Sequence, residues 1–342
     1  MKKFMRRDNR KKLVIGGEVI LPGQRKRISL AVAALFDYTE ITIPIEVIRG
    51  TQEGPVLFIS AAIHGDEISG TEIIKRIMQD FNFNQLTGTV IFIPVVNIYG
   101  FNNKSRYLPD GRDLNRSFPG NLKGSLASRI AHVFMKEVVS KCTHGIDLHS
   151  GSNNRTNLPQ VRACLDDDET QKLAMVFGAP VVINSKLRDG SLRDAARKRK
   201  VKVLLYEGGE ALRFEEPVIR AGLKGCQRIM QAIGMIKSKK VLKKEKSFSA
   251  KWSYWVRAPH SGSFRCFKKL GDYVEEGQLI AVISDTFGQE PYKVNAGVSG
   301  VIIGMSLLPL VNQGDAMVHI AVSKEKTSKE RDGLIDRENL NF

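Results

Sequence analysis

The sequence predicts an α/β unit built on a central sheet flanked by helices, followed by a smaller all-β unit with an internal repeat. Three observations carry this prediction. Apolar runs at residues 56–60, 90–96 and 201–206 alternate with segments of helical periodicity. Beyond a charged stretch at residues 237–246 the texture changes to short strands with a turn every few residues. Within that last part, Val256-Arg257-Ala258-Pro259-His260-Ser261-Gly262 recurs as Val294-Asn295-Ala296-Gly297-Val298-Ser299-Gly300, and Val274-Glu275-Glu276-Gly277 as Val311-Asn312-Gln313-Gly314. The expected organisation is a catalytic domain over residues 1–240, opened by a basic lead-in of about 12 residues. A β-sandwich with a pseudo-twofold repeat over residues 247–323 and a charged tail over residues 324–342 complete it.

The elements follow in order. Residues 1–50 read as strands and turns; residues 41–48 are β-branched and strand-like, with Pro44 arguing for an edge position. The buried strand at 56–60 leads through Ala62-Ile63-His64-Gly65-Asp66-Glu67 into a helix from Ile68 to Met78, with Ile73, Ile74 and Ile77 at helical spacing. That reading puts His64 and Glu67 on one side of the first helical turn. A strand at 90–96 is followed by a long polar segment, residues 101–121, whose Phe101, Tyr107, Leu114 and Phe118 argue that it is packed. A helix over 125–139, a short strand ending at His149-Ser150-Gly151 and a strand near 161–165 come next. An acid-capped helix then runs to Phe177, followed by a strand at 180–183 and a basic helix opening at Gly190-Ser191. The strand at 201–210 ends in Glu207-Gly208-Gly209, and a last helix starts at Glu215-Glu216-Pro217.

Composition bounds the function. The chain of 342 residues is 42% hydrophobic and 26% charged, which is ordinary for a globular protein with a substantial core. No apolar run reaches the roughly 18 residues of a membrane helix, and no apolar signal core follows the basic N-terminus, so a cytoplasmic location and no membrane partner are expected. The four cysteines form no C-x-x-C pair, which excludes a thiolate metal site of that kind and argues for reduced thiols. The formal net charge is +17, but the basic runs carry no interleaved aromatics. Nucleic acid is therefore an unfavoured partner, and a solvated basic surface is the plainer account. A homo-oligomer is compatible with the sequence.

His64 and Glu67 are the ligand types that a divalent metal such as zinc prefers. His149, at a strand end beside a Ser-Gly loop in the same layer, is the best-placed third ligand; His132, His144, His260 and His319 read as structural. Three protein ligands leave a position for water. Glu207, at the end of an apolar strand, is the candidate base that takes the water's proton and hands it to a leaving amine. Asn115 and Arg116 stand side by side and suit a carboxylate. Arg106 is placed to stabilise an oxyanion, and Asp113 to orient a metal-binding histidine. Arg193 and Arg197 lie at i and i+4 on the basic helix, where one of them could bind an acidic substrate side chain but a solvated face is the expected account.

Together, His64-Gly65-Asp66-Glu67, Asp113-Leu114-Asn115-Arg116, Asp147-Leu148-His149-Ser150-Gly151 and Glu207-Gly208-Gly209 resemble the succinylglutamate desuccinylase/aspartoacylase family, whose members are related to zinc carboxypeptidases. The resemblance covers about residues 12–322, the C-terminal repeat being similar to the barrel-sandwich domain of many of that family's deacylases. It implies a zinc-carboxypeptidase-like mixed sheet and one zinc ion held by His64, Glu67 and His149. It further implies Glu207 as base, Asn115 and Arg116 as clamps for the α-carboxylate, and Arg106 as the carbonyl-polarising arginine, with Arg112 able to take that role instead. The implied activity is deacylation of an N-acyl amino acid. Two rivals stand beside it: a zinc carboxypeptidase acting on short peptides, and a non-catalytic basic scaffold for nucleic acid or another anion. The β domain lacks a Met-Lys-Met hairpin, which argues against a swinging-arm carrier.

Overall fold

A computed structural model of the chain describes residues 12–80, 82–237, 246–288 and 291–323. The basic lead-in, most of the charged 237–246 stretch and the 324–342 tail lie outside the described residues. Among those described, a 13-stranded mixed sheet runs through the molecule, with a four-stranded sheet packed beside its C-terminal part. At the centre, Lys202–Gly209, His144–His149, Gln52–Ala61 and Thr87–Ile93 pair in parallel. These are the apolar runs of the sequence, and parallel strands covered on both faces require such runs.

Helices cover both faces. On one, Leu126–Glu137 packs Ile130, Ala131 and Phe134 with Phe58 and Ile91 of the sheet. On the other, Ser69–Asp80 and Glu216–Ala232 bury Ile73, Ile74 and Ile77 with Ile219 and Ile229 against Leu57, Phe92 and Leu204. Each such side chain contributes about 1.5–3 kcal/mol when fully buried. No helix among the described residues is long and apolar enough to cross a membrane.

Two strand expectations shift. Glu40–Arg49 is not an edge strand, because it pairs with Arg25–Ala34 on one side and Thr87–Ile93 on the other. Pro44 is nonetheless accommodated, since the pairing with Thr87–Ile93 starts only at Glu46 and the Pro44 end has one neighbour. The outer strand, Arg25–Ala34, alternates in burial, with Ile28, Leu30 and Val32 turned inward. The strand near 161–165 is longer and earlier than expected, Arg155–Ala163.

The C-terminal repeat is a structural repeat. Gly314 N–H donates to Ala258 O and Gly277 N–H to Ala296 O, both at 2.8 Å, and Val311 pairs with Gly262 as Val274 pairs with Gly300. One layer of this sandwich is the four-stranded sheet. The other layer, Trp252–Arg257, Ala316–Val322 and Gly300–Ser306, joins the central sheet through Arg155–Ala163, with Gly304 opposite Asn157.

Candidate metal centre

Three residues converge where the central parallel strands end. After Gln52–Ala61 the chain turns sharply at His64 to Glu67, closed by the Glu67 N–H donating to His64 O at 3.1 Å. The helix begins only at Ser69, so His64 and Glu67 belong to the preceding turn and not to the first helical turn. Gly65 is required there: a Cβ would lie 1.9 Å from the Gly100 carbonyl carbon. His149 ends the adjacent parallel strand, which pairs Leu148 with Ala61, so the two strand ends open side by side. All three residues are buried, and one ligand atom from each falls within 4.8 Å of the others.

The ring nitrogens are arranged in a telling way. His64 Nδ1 and His149 Nδ1 each lie 2.7 Å from a Glu67 oxygen. On the far side, His64 Nε2 is 3.2 Å from Asp113 Oδ1 and His149 Nε2 is 2.8 Å from Asp147 Oδ2. Asp147 is itself held by Ser60 Oγ at 2.8 Å. Burial pushes the Glu67 carboxyl up, but the two imidazoles outweigh it and hold it well below the usual carboxylate range. Two imidazoles and a carboxylate, each imidazole backed by an aspartate, form a donor set that fits a divalent metal such as zinc.

The remaining expected residues divide by position. Arg106 Nη1 donates to Glu67 Oε1 at 3.0 Å, and its Nη2 donates to Asp113 Oδ2 at 3.2 Å. Asp113 caps the short 3-10 turn Leu114–Arg116 by accepting from the Asn115 N–H. Asn115, Arg116 and Glu207 line the same cavity as the three-residue cluster. Asn115 Oδ1 already accepts from Leu192 N–H at 2.9 Å, so its amide nitrogen is the end turned to other uses. Arg112 is not brought to the cavity. The Leu108 to Gly111 turn carries it to the surface, where it is 62% exposed beside Asp110.

The cavity measures about 440 Å³ and is more cationic than the motifs suggest. Arg155, Arg162, Arg188 and Arg193 line it with Arg106 and Arg116. Arg162 Nε lies 2.6 Å from Glu207 Oε2. Arg193 is buried, contrary to the solvated face expected for it, while Arg197 at the end of that short helix stays exposed. Burial, with Arg162 nearby, pushes Arg193 down to about 10. No sequence signal marked Arg155 or Arg162, because which face of a strand they occupy depends on a register that only pairing sets. Of the other histidines, His144 meets Glu169, His260 stacks on Tyr292 and His319 stacks on Trp255.

The sequence profile of the succinylglutamate desuccinylase/aspartoacylase catalytic domain matches residues 53–233. The chain belongs to this family. An N-alpha-acetyl-L-2,4-diaminobutyric acid deacetylase of Halomonas elongata is 29% identical over 296 residues, 82% of this chain and 86% of that protein. Among solved structures, the product-bound ectoine utilization protein of Ruegeria pomeroyi superposes with a TM-score of 0.79 at 24% identity, covering 87% of this chain and 95% of that one. A succinylglutamate desuccinylase/aspartoacylase from Rhodobacter sphaeroides gives 0.78 at 22% identity, with 87% and 96% covered. These two likenesses concern the fold. The desuccinylase/aspartoacylase catalytic match contains the whole His64, Glu67 and His149 cluster, whereas Trp255, which also lines the cavity, lies beyond it.

Proposed function

We propose that the protein is a zinc-dependent amidohydrolase that removes the acyl group from an N-acyl amino acid. The observation that carries this reading is the buried His64, Glu67 and His149 cluster opening into one cavity with Glu207, Arg106, Asn115 and Arg116. Family membership supports the reaction class, and the deacetylase name of the Halomonas elongata relative supports an acylated amino acid as substrate.

The residues divide the work. His64, Glu67 and His149 would hold one zinc ion per chain, which would supply Lewis acidity toward the amide carbonyl and toward water. Arg116 and the amide nitrogen of Asn115 hold the α-carboxylate, which fixes the amide in the cavity. Glu207 takes a proton from the attacking water and returns it to the amine nitrogen as the C–N bond breaks. Water oxygen ends in the released carboxylate. Arg106 faces the carbonyl side and offsets negative charge that develops on its oxygen. Asp113 and Asp147 orient the two imidazoles.

The test is hydrolysis by the zinc-loaded protein of a panel of N-acyl amino acids and short peptides. Turnover confined to acyl amino acids supports the reading; release of C-terminal residues from peptides replaces it with a carboxypeptidase. Glu207→Gln is expected to keep its zinc and lose about 10²–10⁴-fold in kcat. Unchanged kcat removes Glu207 as the base.

A further inference from the structure

The carboxylate of Glu207 is held at one oxygen only. Its Oε2 lies 2.6 Å from Arg162 Nε and accepts from Gln160 Nε2 at 3.4 Å. Its Oε1 has no hydrogen bond or ion pair among the described residues, and the side chain keeps 21% exposure in the cavity it lines. An arginine that serves only to tie two strands together commonly engages both oxygens of its partner. Here one oxygen is taken and the other is left without a protein partner. The other arginines nearby do not compete for it: Arg193 bonds to Ser185, and Arg106 is taken by Glu67 and Asp113. Arg162 has no second ion pair among the described residues.

Strand pairing explains how Arg162 and the fully buried Gln160 reach the same oxygen. Arg155–Ala163 runs antiparallel to Lys202–Gly209, with Gln160 opposite Glu207 and Arg162 opposite Leu205. Arg162 is thus the diagonal neighbour of Glu207 on one face of the sheet. The register shifts between Glu207 and Gly209, where Leu158 and Pro159 stand against the single residue Gly208. This is a β-bulge, a place that admits proline and re-aims side chains. Its extra residue resets the alternation. Arg155 and Asn157 before the bulge and Arg162 after it all line the cavity, whereas an unbroken strand would turn residues 155 and 162 to opposite faces.

We propose that Arg162, aimed by the bulge at Leu158-Pro159, is a positioning residue for Glu207: with Gln160 beside it, it holds Oε2 so that Oε1 is the oxygen presented to the attacking water. This rests on the reading of Glu207 as the base of an amide hydrolysis. A glutamate side chain turns about several bonds, and one without a fixed partner samples several staggered positions. Misplacing a reacting group by about 1 Å costs up to about 10²-fold in rate. Arg162 acts through Glu207 and not on the substrate.

The test uses the zinc-loaded full chain and the N-acyl amino acid it turns over fastest. Arg162→Gln is expected to lower kcat about 10–100-fold with KM changed less than about threefold, Arg162→Met to behave alike, and Arg162→Lys to recover most of the loss. In a Glu207→Gln background, Arg162→Gln is expected to cause no further loss, since no base remains to be positioned; losses that multiply overturn the proposal. An unchanged kcat in Arg162→Gln overturns it, and so does a rise in KM at constant kcat, which would put Arg162 on the substrate. Crystal structures of the zinc-loaded wild type and variants need no turnover. The Glu207 carboxylate is expected to move by more than about 1 Å, or to spread over several rotamers, in Arg162→Gln and to stay in place in Arg162→Lys. An undisplaced Glu207 in an active enzyme overturns the proposal and leaves the deacylase reading standing. A displaced Glu207 in a protein that hydrolyses no amide supports the positioning contact and refutes the deacylase reading.

Discussion

Glu67 is 2% exposed, and a carboxylate so placed is costly unless both oxygens are matched. Here they are. Oε1 meets His64 Nδ1 and accepts from Arg106, while Oε2 meets His149 Nδ1 and accepts from the Ser150 N–H at 3.2 Å. The aspartates complete the arrangement, and Asp147 is the better isolated of the two because it touches no arginine among the described contacts. Asp147→Asn keeps shape and weakens the acceptor behind His149. Zinc affinity, measured by competition with a chelator, is expected to fall about 10–100-fold with the fold intact. Unchanged affinity would refute an orienting role for Asp147. That His64, Glu67 and His149 would come together, with Asp113 behind His64, is legible in the sequence because each falls in a short motif, whereas nothing there singles out Asp147 as the acceptor behind His149. Arg112 stays outside the cavity for a local reason: the turn through Leu108 and Gly111 decides which of two nearby arginines points inward, and sequence spacing does not.

At the scale of elements, the helix Asp168–Phe177 shows how local chemistry sets a boundary. Asp167 accepts from the Thr170 N–H at 3.1 Å, and Gly178, at φ +75°, ends the helix in the left-handed region. Asp167 also takes Lys202 Nζ at 2.7 Å, joining the helix to the strand Lys202–Gly209. The Lys202 hydrogen bond, with Thr170, pushes the Asp167 carboxyl down to about 2. Its ordinary value is about 3.9, so the folded state releases the proton more readily than the unfolded chain. The stability it contributes is present above about pH 4 and is lost as pH falls through about 2. Asp167→Ala is expected to cost about 1 kcal/mol at neutral pH by denaturant unfolding. Asp167→Asn, which keeps a capping oxygen, should cost less and flatten the acid limb. An Asn variant as damaging as the Ala variant would mean that the Lys202 pair, and not the cap, carries the effect. The acid-capped helix start is readable in the sequence. The strand Arg25–Ala34 alternates in burial, but the turn-forming Gly16-Gly17 and Pro22-Gly23 pairs just before it mask its start in the sequence.

At the scale of the molecule, the two units share one sheet, and that continuity is what brings Trp255 to the cavity. The internal repeat announced the sandwich. Nothing in it announced that Gly300–Ser306 would pair with Arg155–Ala163, because strand pairing between distant segments is decided by register and packing and not by local composition. His319 stands at this seam, 2% exposed, its Nδ1 without a hydrogen bond, stacked on Trp255 with Arg162 and Arg155 close by. Burial, helped by the two arginines, pushes it down to about 3. In the unfolded chain it titrates near about 6.5. Between those values the unfolded state binds a proton that the folded state excludes, so stability rises with pH across that window. The contribution is complete above about pH 6.5 and is lost progressively as pH falls toward 3, with a slope of up to about 1.4 kcal/mol per pH unit. His319→Phe keeps a ring against the indole and removes the titration. Urea unfolding of the two proteins at pH 7.5 and pH 5 is expected to show a smaller loss of stability on acidification in the variant. Equal losses in both would mean that His319 accepts its proton in the folded state at pH 5, and that the seam between the units opens or rehydrates there before the protein unfolds.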